Sequence, residues 1–365
     1  MLTAFDNRMM SHALRLAAKG RYTARPNPCV GCVVVKGADI VGEGWHRKAG
    51  GPHAEVNALH AAGDRASGST VYVTLEPCSH YGRTPPCADA LISAGVLRVV
   101  YAMEDPNPRV SGAGLEKLRS AGIEVVGPLQ EEQAESLNKG FVKRQRRGLP
   151  WVTVKLAMSL DGRTAMASGE SQWITGSDAR RDVQRLRARH AAIITGVGSV
   201  LQDNPAMTVR ADELGLERIL ADELVQRQPL RVLVDSRLRT PASARIFAQP
   251  GSVLMASAAE GVRENAEVIC LPRDGRVDLE ALLKELAMRD CNDVLVEAGA
   301  GLAGAFMEAG LVDELVVYMA AKLLGSHGRP LLELPFQEMA QQVPLIITDL
   351  RAVGDDWRIT AALQR

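Results

Sequence analysis

The chain's apolar pattern switches back and forth between a strand period and a helix period, stops at Gly148-Leu149-Pro150, and then starts again. Such alternation predicts α/β layers, and a glycine and a proline in the break place a domain boundary there. Before the break, "CVGCVVV" and "IVGEGWH" predict a hairpin turning at Lys36-Gly37-Ala38-Asp39. "HAEVNALHAAG", "CADALISAGV" and "GAGLEKLRSAG" read as helices, and "STVYVTLEP", "LRVVYAME" and "IEVVG" as strands, which gives a mixed sheet. The basic run Lys143, Arg144, Arg146 and Arg147 reads as the solvated face of a last helix. After the break, strands are expected at "WVTVKLAMS", "AAIITGVGS", "LRVLVDSR", "SVLMAS", "EVICLP", "DVLVEAG" and "VDELVVYMAAKLLG". Helices are expected at "TGSDARRDVQRLRARH", "LEALLKELAMRD" and "GLAGAFMEAG". The expected domains are therefore 1–147 and 148–365.

At 365 residues the chain has room for both. Lys plus Arg and Asp plus Glu both number 43, so no global field favours nucleic acid or an anionic membrane. An aromatic content of 4% also argues against a platform for stacking single-stranded bases. No apolar run approaches the roughly 18 residues that a membrane span needs. At the N-terminus, Asp6, Arg8, His12 and Arg15 interrupt what a signal peptide would keep apolar. That stretch reads as an amphipathic helix with Met9, Ala13, Leu16 and Ala17 on one face. A cytoplasmic chain keeps its thiols reduced, so the six cysteines are expected as ligands or core residues rather than disulfides.

His53 and Glu55 open one helix, Cys78 follows a strand, and Cys87 opens the next helix. One neutral imidazole and two thiolates balance the charge of Zn2+ and leave a fourth tetrahedral position open, the catalytic pattern. A helix N-terminus favours an ionised Cys87. Zinc brings the pKa of a bound water to about 7, and Glu55 is placed to shuttle protons without being a ligand. "HAE" and "PC" match the H-x-E…P-C-x-x-C signature of zinc deaminases of nucleobases, but the second cysteine comes nine positions on rather than three. A closed structural site built from Cys29, Cys32, Cys78 and Cys87 is the alternative. Cys32 leads into "VVV", which suits a buried thiol instead.

"PNPCVGCVVV", "GWHRKAGGPHAEVNAL", "VTLEPCSHYGRTPPC", "DPNPRVSGAG" and "LNKGF" resemble the bifunctional deaminase–reductase family of riboflavin biosynthesis. "KLAMSLDGRTA", "GESQWITG", "DNPAMTVR" and "VEAGAGLAGA" extend the resemblance over essentially the whole chain. In that family a long spacer between the cysteines is the rule, and position 29 varies. The resemblance implies a three-layer cytidine deaminase-like domain followed by a dihydrofolate reductase-like domain. It implies zinc on His53, Cys78 and Cys87, with Glu55 as proton shuttle. The implied substrate is a phosphoribosylaminopyrimidine, 2,5-diamino-6-(5-phosphoribosylamino)pyrimidin-4(3H)-one, contacted by Asn27, His46, His80 and Arg83. For Arg83 a plain surface charge is the alternative.

"GAGLAG", Gly299 to Gly304, is literally G-x-G-x-x-G after a strand and before a helix. Small residues there let phosphate approach backbone N–H groups. The motif lies late in its domain, and no acidic residue ends a second strand about twenty residues on, which argues against a Rossmann unit. By resemblance NADPH is held by Ala157, Trp173, Ser199, Asp203, Ser236 and the loop Gly299, Ala300, Gly301, Leu302, Ala303, Gly304 and Ala305. Ser171, Arg187, Met207, Arg210, Glu297 and Lys155 are implied on the reductase substrate, with Arg187 and Arg210 as phosphate or polar anchors. The implied product is 5-amino-6-(5-phosphoribitylamino)uracil, and the family resemblance also implies a homo-oligomer.

Overall fold

The computed structural model describes residues 2–80, 85–108 and 110–364. The chain divides into two units, Met1–Gly148 and Leu149–Arg365, each with its own apolar core.

The first unit has helices α1 (Ala4–Ala18), α2 (Ala54–Ala62), α3 (Cys87–Ser93), α4 (Ala113–Ser120), α5 (Glu131–Leu137) and α6 (Lys139–Arg147). Its strands are β1 (Gly31–Lys36), β2 (Asp39–Trp45), β3 (Thr70–Val73), β4 (Arg98–Tyr101) and β5 (Glu124–Val126). Among the described residues they form one sheet in the order β2-β1-β3-β4-β5. β1 runs antiparallel to β2 and β3, and β3, β4 and β5 are parallel, so the sheet is mixed. Lys36 pairs with Asp39 across the expected hairpin turn. A Cβ on Gly31 would lie 2.0 Å from the Ala13 carbonyl oxygen, and one on Gly44 would lie 2.4 Å from that of Ala54. Glycine thus lets α1 and α2 lie backbone against backbone on the hairpin.

Two expectations shift. The core face of α1 carries Met10, Ala13, Leu16 and Ala17, with Met10 in place of Met9. The helix is turned so that buried Asp6 accepts hydrogen bonds from Tyr72 and Arg98 at 2.7 Å each. The strand expected over "STVYVTLEP" ends at Val73, because the chain then leaves the sheet to deliver Glu76, Pro77 and Cys78.

In the second unit the strands are β6 (Trp151–Ser159), β7 (Arg163–Ala165), β8 (Ala192–Gly196), β9 (Leu230–Val234), β10 (Val253–Ser257), β11 (Glu267–Cys270), β12 (Pro272–Arg273), β13 (Arg276–Val277), β14 (Asp293–Glu297), β15 (Glu314–Ala320), β16 (Arg329–Pro330), β17 (Leu345–Val353) and β18 (Asp356–Leu363). The helices are α7 (Ser177–Arg189), α8 (Val197–Asp203), α9 (Ala211–Leu214), α10 (Arg218–Gln226), α11 (Leu279–Met288) and α12 (Ala300–Glu308). The large sheet has the order β11-β10-β9-β8-β14-β6-β15-β18-β17. It is parallel from β11 to β15 and antiparallel at β18 and β17. This is not the Rossmann order. Along the central strands alternate residues face opposite helices. Leu295, Val316 and Tyr318 pack with Ala179, Val183 and Leu186 of α7. Val294, Val296, Leu315 and Val317 pack with Leu282, Leu286, Ala303 and Phe306 of α11 and α12. The strand read through "AAIITGVGS" stops at Gly196, where α8 begins.

Candidate functional site

In the first unit, His53 caps α2 and Cys87 is the first residue of α3. Proline on the N-terminal side of each favours extended backbone leading into a helix start. Cys78 lies beyond the end of β3. His53 Nδ1 is 3.1 Å from Cys87 Sγ and 3.7 Å from Cys78 Sγ. The Cys87 backbone N–H donates to Cys78 Sγ at 3.3 Å. Ligand atoms of the three residues lie within 4.8 Å of one another, and among the described residues this group includes neither Cys29 nor Cys32. Cys32 is fully buried in β1 between Gly44 and Val73. Asn138 accepts from the Cys29 N–H at 2.7 Å and donates to its carbonyl at 3.0 Å. One imidazole and two thiols converging on a point fit zinc with a position to spare.

The electrostatics suit proton transfer. Burial pushes the Glu55 carboxyl up to about 7, against the pull of its own backbone N–H and of His53. The hydrogen bond with Cys78 raises His53, with burial opposing. Cys78 is drawn down chiefly by its bond with Cys87, and Cys87 is pushed up by the same bond and by burial beside Glu55. His46 stands edge-on to His53 with ring centres 5.4 Å apart. Its Nδ1–H donates to the Pro52 carbonyl at 3.1 Å. That leaves Nε2 to accept from the Asn27 amide at 3.1 Å, and burial lowers the ring's pKa. His80 is exposed, and Arg83 lies outside the described residues.

Glu76 escapes the sequence reading. Its buried carboxylate accepts backbone N–H bonds from Asp105 at 3.1 Å, Gly112 at 3.0 Å and Gly114 at 2.9 Å. The signal was its place in "EPC", beside a ligand candidate. Asp105 is raised mainly by burial, and it also feels Glu76, His80 and Cys78.

In the second unit, Lys155, Ala157 and Glu297 lie on the α7 side of the sheet, where Glu297 pairs in register with Lys155. Arg187 donates from Nε and Nη2 to the two Glu297 oxygens at 2.6 and 3.0 Å, and from Nη1 to the Thr208 carbonyl at 3.0 Å. Its guanidinium thus lies against the half-buried Glu297 carboxylate, each supplying the other's counter-charge. Burial lowers Lys155, with Glu297 opposing. Arg210 is exposed and paired with Glu213 at 2.7 Å. Met207 is buried with a φ of 55°.

Ser171 donates to Asp203 at 3.3 Å, which joins the segment before α7 to the end of α8. Trp173 is 64% exposed, and Arg180 lies over its ring at 4.6 Å. Ser199 is half-buried on α8, and half-buried Ser236 accepts from the Val277 N–H at 3.2 Å. The three motif glycines differ in role. Gly299 caps α12 with open space on its side, as a phosphate cradle requires. Gly301 faces the Glu333 carboxylate, and Gly304 packs on the Glu333 backbone. Ala300, Leu302, Ala303 and Ala305 complete the first turns, with Leu302 against Gly196.

Residues 3–103 match the family described as the cytidine and deoxycytidylate deaminase zinc-binding region, and residues 150–359 match the RibD C-terminal domain. Riboflavin biosynthesis protein RibD of Escherichia coli K12 is 53% identical, over 96% of this chain and 97% of that one. A solved RibD structure from Acinetobacter baumannii superposes with a TM-score of 0.92 at 45% identity, covering 99% of both chains. A diaminohydroxyphosphoribosylaminopyrimidine deaminase/5-amino-6-(5-phosphoribosylamino)uracil reductase from Thermotoga maritima gives 0.87 at 32%, again over 99% of both. Both matched families thus lie in one chain that is similar to these relatives over nearly their full length, and the chain belongs to the RibD family, the bifunctional deaminase–reductases of riboflavin biosynthesis.

Proposed function

We propose that residues 1–147 hydrolyse the 2-amino group of 2,5-diamino-6-(5-phosphoribosylamino)pyrimidin-4(3H)-one. Residues 148–365 then reduce the ribosyl side chain to give 5-amino-6-(5-phosphoribitylamino)uracil. The observation that carries the reading is the convergence of His53, Cys78 and Cys87 beside a buried Glu55 whose carboxyl is raised to about 7. His53, Cys78 and Cys87 would hold zinc, which would supply a bound water whose pKa is lowered to about 7. Glu55 takes a proton from the attacking water and passes one to the departing amine, so one water enters and one ammonia leaves. A carboxyl poised near neutrality suits both transfers. Asn27 and His46 hold the pyrimidine edge, His80 contacts the phosphoribosyl arm, and Arg83 is the residue type that suits its phosphate.

NADPH supplies the hydride of the second step. Ala157, Trp173, Ser199, Asp203, Ser236 and the 299–305 turn hold the cofactor. Ser171, Met207, Arg210, Glu297 and Lys155 hold the phosphoribosylamino substrate. Arg187, bonded to both oxygens of Glu297, joins this set, and positioning by binding residues dominates the step. The enzyme works in the cytoplasm as a homo-oligomer. Support for self-association comes from the end of the large sheet. By register Leu345, Ile347, Leu350 and Trp357 share one face of β17 and β18, and all four are exposed.

Glu55→Gln tests the first half. Zinc content should stay at that of the parent while ammonia release falls at least about a hundredfold. NADPH oxidation with the deaminated substrate should be unchanged. Ammonia release at the parental rate would remove Glu55 from the mechanism.

A further inference from the structure

The cap residue before α4 is Gly112, which has no side chain to cap the helix. The first N–H groups of a helix need acceptors. Here two of them, from Gly112 and Gly114, reach the carboxylate of Glu76, 36 and 38 positions away in sequence. The same carboxylate accepts the Asp105 N–H. One buried group therefore ties Asp105 to Gly112 and Gly114 and stands two residues before Cys78. The approach is tight from the other side too. A Cβ on Gly114 would fall 1.8 Å from the Pro77 carbonyl oxygen, so only glycine lets the segment seat on the turn that carries Cys78. Glu76 is itself held by its N–H donating to the Met103 carbonyl at 2.9 Å. No arginine or lysine bonds this carboxylate among the described residues. Three directed backbone dipoles stabilise it instead, an arrangement that fixes position far more tightly than a mobile cation would.

We propose that Glu76 is a positioning residue of the deaminase site, tying the backbone of Asp105, Gly112 and Gly114 to the turn that carries Cys78. The proposal rests on the deaminase reading of the His53, Cys78 and Cys87 cluster. It adds a group that touches neither metal nor substrate and acts through backbone N–H bonds.

Glu76→Gln keeps the shape but turns an N–H2 towards the Gly114 N–H, so one of the three bonds becomes donor against donor. Two readouts are compared in the full-length, zinc-loaded protein. Hydrogen exchange at the amides of Asp105, Gly112 and Gly114 should accelerate. Deaminase kcat/KM should fall about 10–100-fold, the usual effect of losing an outer-shell partner, with the change in KM as well as kcat and with zinc still bound at the parental stoichiometry. Reductase turnover on the deaminated substrate should not move. Gly114→Ala lifts the segment from the Pro77 side while leaving Glu76 intact. It should reproduce both effects, and it serves if the Glu76 variant does not fold. Exchange at parental rates in both variants, or deaminase kcat/KM within about twofold of the parent in a variant whose exchange has accelerated, overturns the proposal. If the parent releases no ammonia from the diaminopyrimidinone, the substrate reading fails. The exchange arm then decides the role of Glu76 by itself.

Discussion

Asp6 is buried in the first helix, and its charge organises one edge of the first unit. It accepts from Thr3, Tyr72 and Arg98. Burial alone would raise its carboxyl, but these hydrogen bonds outweigh it and hold the group well below the usual carboxylate range. A depressed folded-state pKa adds stability that is fully present above the unfolded value of about 4 and is lost as pH falls towards the folded value. Asp6→Asn should therefore cost about 2–4 kcal/mol at neutral pH. In urea unfolding the gap between parent and variant should be constant from about pH 5 to 8 and shrink below about pH 4. A gap that widens on acidification would contradict the linkage. At this scale His53, Glu55, Cys78 and Cys87 were legible because residue type, order and helix context all pointed to one chemistry. Glu76 was not, because its partners lie about thirty residues away and are backbone groups.

At the level of elements, α2 presents His53 and Glu55 only as accurately as it lies on the β1–β2 hairpin. The contact is made by glycine. Besides the Ala54 carbonyl, a Cβ on Gly44 would meet the Ala58 nitrogen at 2.5 Å. Gly44→Ala should overpack this contact, cost about 1–3 kcal/mol, and tilt α2 at its metal-facing end. Zinc affinity, read by competition with a chelator, should drop about tenfold, although the residue is no ligand. Unchanged affinity would mean that the helix start is held by the cysteines instead. The hairpin, α2, α3 and α12 were readable from period and turn residues. The end of β3 and the start of α8 were not, since "TLEP" and "GVGS" continue an apolar pattern past the point where the chain leaves the sheet.

For the molecule as a whole, the outer end of the large sheet matters most. β17 has a bulge between Ile347 and Asp349. It brings Ile347 and Leu350 onto one face even though they stand three apart in sequence. Opposite β18, that face reads Leu345, Ile347, Leu350, Ala352, Trp357, Ile359, Ala361 and Leu363, without a charged residue. Of that face Leu345, Ile347, Leu350 and Trp357 are exposed while Ala361 is buried, so its outer part is the patch that suits contact with a second copy. Ile347→Asp should shift the sedimentation of the protein to a smaller species, with deaminase activity kept. A parent that already sediments as a monomer would refute the oligomer.

The sequence by itself determined the α/β class, the break near residue 148, the grouping of His53, Cys78 and Cys87 with Glu55, and the glycine-rich helix start. Each of these depends on neighbours within a few residues or on residue types that few chemistries share. Only the tertiary structure decided that Arg187 is committed to Glu297, that Glu76 caps a distant helix, and that a bulge gathers an apolar face at the sheet's end. Those features arise from satisfying buried charges and backbone dipoles across long sequence separations, and no local period records them.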